Sequence, residues 1–320
     1  MLPMTYRFTL ELRRIERDSH DACSECQRPF HEGETTHCGY SDAGSAMFVG
    51  DCCADRLVET AARYLWQRRS FVCPPSHASL WRYIDFSKFV ALLKDSALYF
   101  ARADMLGDRF EGAHGTIGNK RKWDHFYLEF FSDAIRNPPP GQTCDLTTEQ
   151  IQAEAKTLLR QFARGSRAEI KNTFVSCWHE SDVESEALWR LYCGTFPGVA
   201  IRTDTKRLIS ATGDDPAIRI GRVEYIDFRQ TFAGPNDAIF RKRKSLSHER
   251  EVRAVINKYR HQSGGRPGIQ IRTDLPELIA SVVVSPFAPD FFHAVVLEVL
   301  SRFSVDVSVE KSELADKPFF

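Results

Sequence analysis

Read for its alternation of apolar and polar positions, the chain opens with a strand pattern over residues 6–13 and then loses periodicity in a cysteine-rich stretch. Helical spacing returns over 53–67, and the prolines and small residues of FVCPPSHAS, 71–79, break it. From residue 79 the pattern predicts a short strand at LWRY, a helix over 87–94 and a strand over 97–101. NPPPG, 137–141, marks a loop, and a long helix opens near Leu146, with Thr147 or Thr148 placed to cap it. NTFVSCWHE, GVAIRTD, residues 219–227, SLSHEREVRAVI, ASVVVSP and FSVDVSVE read as strands, whereas EALWRLY and PDFFHAVVLEVLSRF read as helices. Strands outnumber helices toward the C-terminus, and regular helices do not separate them. That order predicts an α+β fold, a mixed or antiparallel sheet core with helical insertions, behind a small N-terminal treble-clef-like zinc module. The expected domains are 1–72 and 77–320, with no internal repeat or low-complexity tract.

Composition narrows the function classes. The 320 residues are 42% hydrophobic, enough for a sizeable core, and the formal net charge is +0. No global field draws the chain to nucleic acid or to a membrane surface, so such contact requires a local patch. No apolar run approaches the roughly 18 residues that span a bilayer. The N-terminal stretch lacks the continuous apolar segment of a signal peptide, and the expected location is the cytoplasm. Cysteines there stay reduced.

Five of the nine cysteines precede residue 54, which points to metal binding. Cys23 and Cys26 form a C-x-x-C, Cys52 and Cys53 stand at the start of the expected helix, and His37 and Cys38 lie between. A knuckle and a helix N-terminus together supply the four soft ligands of a structural zinc site. The expected set is Cys23, Cys26, Cys52 and one of His37, Cys38 or Cys53, with Cys38 taken as the fourth. Four protein ligands leave no open position, so the ion is structural.

In LSHEREVRAVI, read as a strand, Arg250, Val252, Ala254 and Ile256 share one face. Glu249, Glu251, Arg253 and Val255 share the other. Two carboxylates there repel, and different surroundings split their acidities, which allows a division of labour in acid–base or cation-stabilising chemistry. In TFVSCWHE, Phe174, Ser176 and Trp178 share a face, with Cys177 and His179 opposite. Trp178 and Trp189 are candidates for an aromatic pocket, and His179 and His248 are lone histidines flanking the acidic strand. Asp104, Asp108 and Glu111 form another acidic group, and Arg241–Lys244 is the densest basic run.

Four stretches carry a family resemblance: LWRYIDFSKFVALLKDSALYFARADMLGDRFEG, TFVSCWHESDVESEALWRLYCGTFPGVAIRT, KRKSLSHEREVRAVI and VVVSPFAPDFFHAVVLEVLSRF. Together they resemble the bacterial domain-of-unknown-function family 2971 over most of residues 79–318. That resemblance implies a phage-defence or mobile-element setting, hence a toxin-like effector with an antitoxin or defence-system partner.

The order Arg82, Ser176, Glu249-x-Glu251 is also similar to the arginine–serine–glutamate arrangement of ADP-ribosyltransferases. This second likeness implies that Arg82 binds the phosphates of the substrate NAD and that Ser176 orders the nicotinamide-ribose pocket. Glu251 would stabilise the oxocarbenium-like state, and Glu249 would orient an acceptor, a nucleic acid or a protein. Trp178 and Arg253 join Arg82 as expected cofactor-binding residues. The serine is followed by Cys177 and Trp178 instead of the Thr-Ser of many members. Two other readings compete: a Mg²⁺-dependent nuclease using Asp108, Glu111, Glu249, Glu251 and the basic run, and a non-enzymatic module that binds nucleic acid or a partner.

Overall fold

The computed structural model describes residues 22–23, 26–31, 36–40, 46–50, 52–53, 72–138, 143–194, 197–215, 217–234, 238–258 and 263–320. The chain divides into two compact units, Met1–Ser70 with His125–Leu159, and Phe71–Asp124 with Arg160–Phe320. The strand expected over 6–13, and the helix expected over 53–67 beyond its first residue, lie outside the described residues.

In the first unit Ala22 bridges to Pro29 across a tight turn. The turn closes because Gln27 N–H donates to the Cys23 carbonyl at 2.8 Å and Cys23 N–H donates to the Arg28 carbonyl at 2.8 Å. Gln27 takes the left-handed conformation, φ 59°, that such a reversal needs. Strands β1 (Thr36–Tyr40) and β2 (Ala46–Gly50) pair antiparallel, with Cys38 opposite Phe48. Cys52 and Cys53 then have helical backbone.

From residue 79 the elements run β3 (Ser79–Asp85), α1 (Phe86–Asp95), β4 (Ala97–Arg102), α2 (Lys120–Arg136), α3 (Thr148–Ile170) and β5 (Thr173–Glu180). Then come α4 (Glu186–Cys193), β6 (Gly198–Asp204), α5 (Thr205–Ala211), β7 (Arg219–Arg222), β8 (Glu224–Ile226), β9 (Arg241–Arg243) and β10 (Glu251–Asn257). The last are β11 (Gly268–Arg272), α6 (Leu275–Leu278), β12 (Ser281–Val284), α7 (Phe292–Arg302) and β13 (Ser308–Lys311). Local chemistry sets the boundaries. Asp85 caps α1 by accepting from Lys88 N–H at 2.9 Å, and Ser96 ends it in a left-handed turn. Thr147 and Gln150 form a reciprocal box at the start of α3: Thr147 N–H donates to Gln150 Oε1, and Gln150 N–H to Thr147 Oγ1.

Nine strands of the second unit build one mixed sheet, ordered β11-β4-β5-β3-β6-β12-β13, with β10 paired to β5 and β7. All its pairs are antiparallel except β12–β13. This is the mixed-sheet α+β organisation expected from the element order. Leu80, Phe100, Phe174, Trp178, Ile201, Val252, Ala254 and Ile256 lie on one face, packed with Phe89, Leu208, Phe292 and Val296 of α1, α5 and α7. The other face carries Trp81, Tyr83 and Ala200 against Leu188, Trp189 and Cys193 of α4, and Val175 and Val255 against Ile239 and Phe240. Among the described residues, no helix is long and apolar enough to cross a membrane.

The sheet forks at β5. β10 pairs along the whole of one edge, Glu251↔His179 through Asn257↔Thr173. On the other edge β3 pairs only at Glu180 and His179, and β4 only at Val175 and Phe174. Ser176, Cys177 and Trp178 therefore lack ladder partners on that edge. Arg82 fills the gap: Nη1 donates to Ser176 Oγ at 2.6 Å, and Nη2 to the Tyr99 carbonyl at 3.2 Å. The guanidinium thus links the Ser176 side chain of β5 to the backbone of β4 across the gap. Arg82→Met, which keeps the aliphatic stem and removes both bonds, should lower stability by about 1–3 kcal/mol in urea titration. A change below about 0.5 kcal/mol would show that Arg82 does not brace the fork.

Candidate functional site

The acidic stretch is not a continuous strand. Residues Lys244–Glu249 form a 3-10 turn, Arg250 is left-handed with φ 39°, and β10 starts at Glu251. From there period-two alternation holds. Val252, Ala254 and Ile256 enter the main core, and Glu251, Arg253 and Val255 face the other way. The kink corrects the expectation that Glu249 is one more member of that strand face. It also lets Glu249 and Glu251 reach the same ammonium group.

Arg253 is the centre of the cluster, with none of its surface exposed. Its guanidinium donates to Glu251 from Nε (2.9 Å) and Nη2 (3.1 Å), and to Glu111 from Nη1 (2.7 Å) and Nη2 (2.8 Å). Nη1 also donates to the Ile239 carbonyl. Lys242 of β9 completes the group. Its Nζ bonds Glu249 and stands 2.9 Å from Glu251 Oε2 and 3.7 Å from Glu111 Oε1. Alongside, Arg243 donates to Asp108 at 2.6 Å.

The electrostatics follow from this packing. Burial alone would push Glu251 up, but the Arg253 and Lys242 charges outweigh it and hold the carboxyl at about 2. Burial works against the charge on Arg253 as well, and Glu251 and Glu111 reverse it, keeping the guanidinium well above its ordinary range. The Cys177 thiol is pushed up by burial and then by the neighbouring Glu251 charge, and stays protonated.

Aromatic and imidazole groups border the cluster. Tyr225 Oη accepts the Glu251 N–H at 2.8 Å. Tyr192 of α4 is 47% exposed, yet its phenol is pushed upward by burial of the hydroxyl end and by Glu249. His179, directly opposite Glu251 in the ladder, donates from Nδ1 to the Glu249 carbonyl at 2.7 Å. Tyr83 packs beside it, ring centroids 6.3 Å apart.

Arg82 and Ser176 do not share this face. The register aligns Trp81, His179 and Glu251 across three strands, so their side chains point one way. Ser176 lies opposite Ala254 and Trp178 opposite Val252, so both point into the main core. Arg82 goes with them, its guanidinium 5.5 Å from the Trp178 ring centroid. The single cleft expected to join Arg82, Ser176 and Trp178 to Glu249, Glu251 and Arg253 is therefore not formed. The structure brings together Glu249, Glu251 and Arg253 on one side, and Arg82, Ser176 and Trp178 on the other. Arg82 has no carboxylate partner among the described residues, and burial pulls its pKa down.

In the first unit the sulfurs of Cys23, Cys26, Cys52 and Cys53 all lie within 4.8 Å of one another, a placement able to hold a metal ion. Cys53 thus takes the fourth position assigned to Cys38, whose side chain lies outside the described residues. The Cys26 and Cys52 sulfurs are 3.6 Å apart. Zn–S bonds of about 2.3 Å at tetrahedral angles put sulfurs about 3.8 Å apart, so the spacing suits that geometry.

In comparisons with protein-family models, with curated proteins and with solved structures, nothing matches this chain.

Tyr83, Tyr192 and Tyr225 are not among the residues singled out by sequence, and Lys242 is there only as one member of the basic run. The signal for Lys242 was present in the basic run, because a lysine buried within a charged stretch demands acidic partners.

Glu251 sits below its unfolded pKa, so its stabilising effect is present above about pH 4.5 and is lost as pH falls toward about 2. Thermal melts should show stability declining by on the order of 2–3 kcal/mol through that window from this group. In Glu251→Gln the decline should be shallower by about that amount. Arg253→Met, leaving two buried carboxylates short of a partner, should cost about 3–5 kcal/mol at pH 7 by chemical denaturation. A loss under 1 kcal/mol would show that the carboxylates are solvated.

Proposed function

We propose that the second unit cleaves the nicotinamide–ribose bond of NAD, as an ADP-ribosyltransferase or NAD glycohydrolase of a toxin or defence system. The acceptor is a nucleic acid, a protein or water, and the setting is the cytoplasm. One observation carries this reading: an ionised, rigidly held Glu251 on β10 stands beside β5, on a face bordered by Tyr83, His179 and Tyr192. Breaking this glycosidic bond needs little nucleophilic help, because the nicotinamide leaving group is already cationic. It needs a carboxylate that is charged at neutral pH near the developing oxocarbenium ion. Glu251 meets that electrostatic requirement, since Arg253 keeps it ionised and fixes its direction.

The reading departs from the resemblance on which it began. The phosphate-binding task implied for Arg82 passes to a cation on Glu251's side. Arg250 is exposed, with no carboxylate at ion-pair distance among the described residues. Arg250 lies close enough to His179 to depress the imidazole's pKa. Glu249, carried on the turn, keeps the acceptor-orienting role.

We also propose that the four cysteines hold a structural zinc ion. Cys23, Cys26, Cys52 and Cys53 would supply four thiolates, and the ion would tie the knuckle to the helical residues that follow β2.

A second reading has its own support. Glu111, Glu249 and Glu251 converge on Lys242, and Asp108 meets Arg243, so the four carboxylates of a Mg²⁺-dependent nuclease lie together beside the basic run. Against it, Lys242 and Arg253 already occupy the positions a cation would take.

Incubated with NAD, the wild-type chain should release nicotinamide. Glu251→Gln should lower the rate by about 10²–10³-fold, judged alongside its melting curve. Glu249→Gln should retain release and reduce transfer to an acceptor. No nicotinamide from the folded wild type would end the NAD reading. Nucleic-acid cleavage that stops when Mg²⁺ is omitted would select the second. Elemental analysis should find one zinc per chain, and Cys52→Ser should lower that content. A metal-free, folded chain would exclude the zinc site.

A further inference from the structure

We propose that His179 is the general base of this site, taking the proton from the water or hydroxyl that attacks C1′ of the nicotinamide ribose. The proposal rests on the NAD-cleaving reading above. It is carried by the placement and hydrogen bonding of the imidazole.

The β5–β10 register sets His179 directly opposite Glu251, and in an antiparallel pair opposed side chains share a face. The imidazole is only 7% exposed. Its Nδ1 lies 2.7 Å from the Glu249 carbonyl oxygen, which can only accept, so Nδ1 carries the proton. The neutral ring's lone pair therefore sits on Nε2, and Nε2 has no protein partner among the described residues. Nε2 is not among the buried atoms that lack a partner, so its lone pair is open to solvent, and a nitrogen base of fixed tautomer with an accessible lone pair can accept from a ligand O–H.

The groups facing this ring are Glu249 and Arg250 from the turn, Glu251 from β10, Glu180 from its own strand and Tyr83 from β3. Burial is the largest influence on the imidazole, and Arg250 adds to it. Together they outweigh the Glu249 carbonyl and Glu180, and the pKa is lowered. The ring is thus neutral, and able to accept a proton, at neutral pH.

The step balances without a redox partner. The C1′–N1 bond breaks, its electron pair goes to the nicotinamide nitrogen, and the cationic pyridinium leaves as neutral nicotinamide. The oxygen of water or of the acceptor forms the new bond to C1′, and its proton passes to Nε2 and then to solvent. Glu251 remains ionised throughout, facing the positive charge at C1′.

A merely structural His179 would hold the Glu249 carbonyl and do nothing more. His179→Asn separates the two roles, because the asparagine amide can keep the donor at the Nδ1 position while removing the base. In the full chain with NAD, His179→Asn should melt like wild type, keep KM and lose about 10²–10⁴-fold in kcat. The wild-type kcat should also fall at acid pH along a limb below the ordinary imidazole range, and the variant should lack that limb. Nitrogen NMR of the wild type should report the Nδ1–H tautomer, with the Nε2 resonance shifting when ADP-ribose is added. An active wild type with an equally active His179→Asn, or an Nε2–H tautomer, overturns the base assignment alone. A wild type that releases no nicotinamide overturns the NAD reading and the base role with it.

Discussion

The second unit is organised around one buried guanidinium. Arg253 has no exposed surface, and its donors are distributed over Glu251 of its own strand, Glu111 of a distant loop and the Ile239 carbonyl. Each contact is charge-assisted or made in a medium that water barely screens, so each is geometrically demanding. Taking this charge out of water is costly, and the cost is offset only if every partner is in place. The loop bearing Glu111, the strand bearing Lys242 and the strand bearing Glu251 must therefore assemble together. Such a cluster adds less to net stability than its count of ion pairs suggests. Its effect is to fix where Glu251 points.

A forked sheet frames that cluster. β10 grips one edge of β5 along its length, while β3 and β4 divide the other edge between them. One face of the fork is filled by the main core together with Arg82, Ser176 and Trp178; the other holds the charged cluster and its tyrosines. Polar side chains on the two faces of one strand thus have separate surroundings: Ser176 receives the brace from Arg82, and Cys177 lies beside the Glu251 charge.

Much of this architecture was legible in the sequence. Period-two stretches such as TFVSCWHE and GVAIRTD became β5 and β6 because both faces of a central strand are packed and the pattern persists. The helices at EALWRLY and after Pro289 carried clear spacing and appear as α4 and α7. β11 and α2 were not foreseen. GIQIR is short, with two of its five positions exposed, and α2 is interrupted by charge along much of its length. The 219–227 strand splits into β7 and β8, and the last strand shortens to β13. For the site, alternation assigned Glu251 and Arg253 to one face correctly. It could not show that Arg82 and Ser176 occupy the opposite face, because that depends on the register between strands far apart in the chain. The cysteine spacing located the cluster in the first unit, but choosing its fourth member required distances.

The left-handed residue at position 250 has a consequence for how this protein can change. Glu251 is locked into a ladder whose register fixes every neighbour, whereas Glu249 rides on a short turn coupled to that ladder through one reversed residue. Reshaping the turn moves the first acid and, through the Lys242 ammonium that both acids share, is felt by the second. The two carboxylates thus sit on different mounts, one a paired strand and one a short turn, coupled by a single lysine.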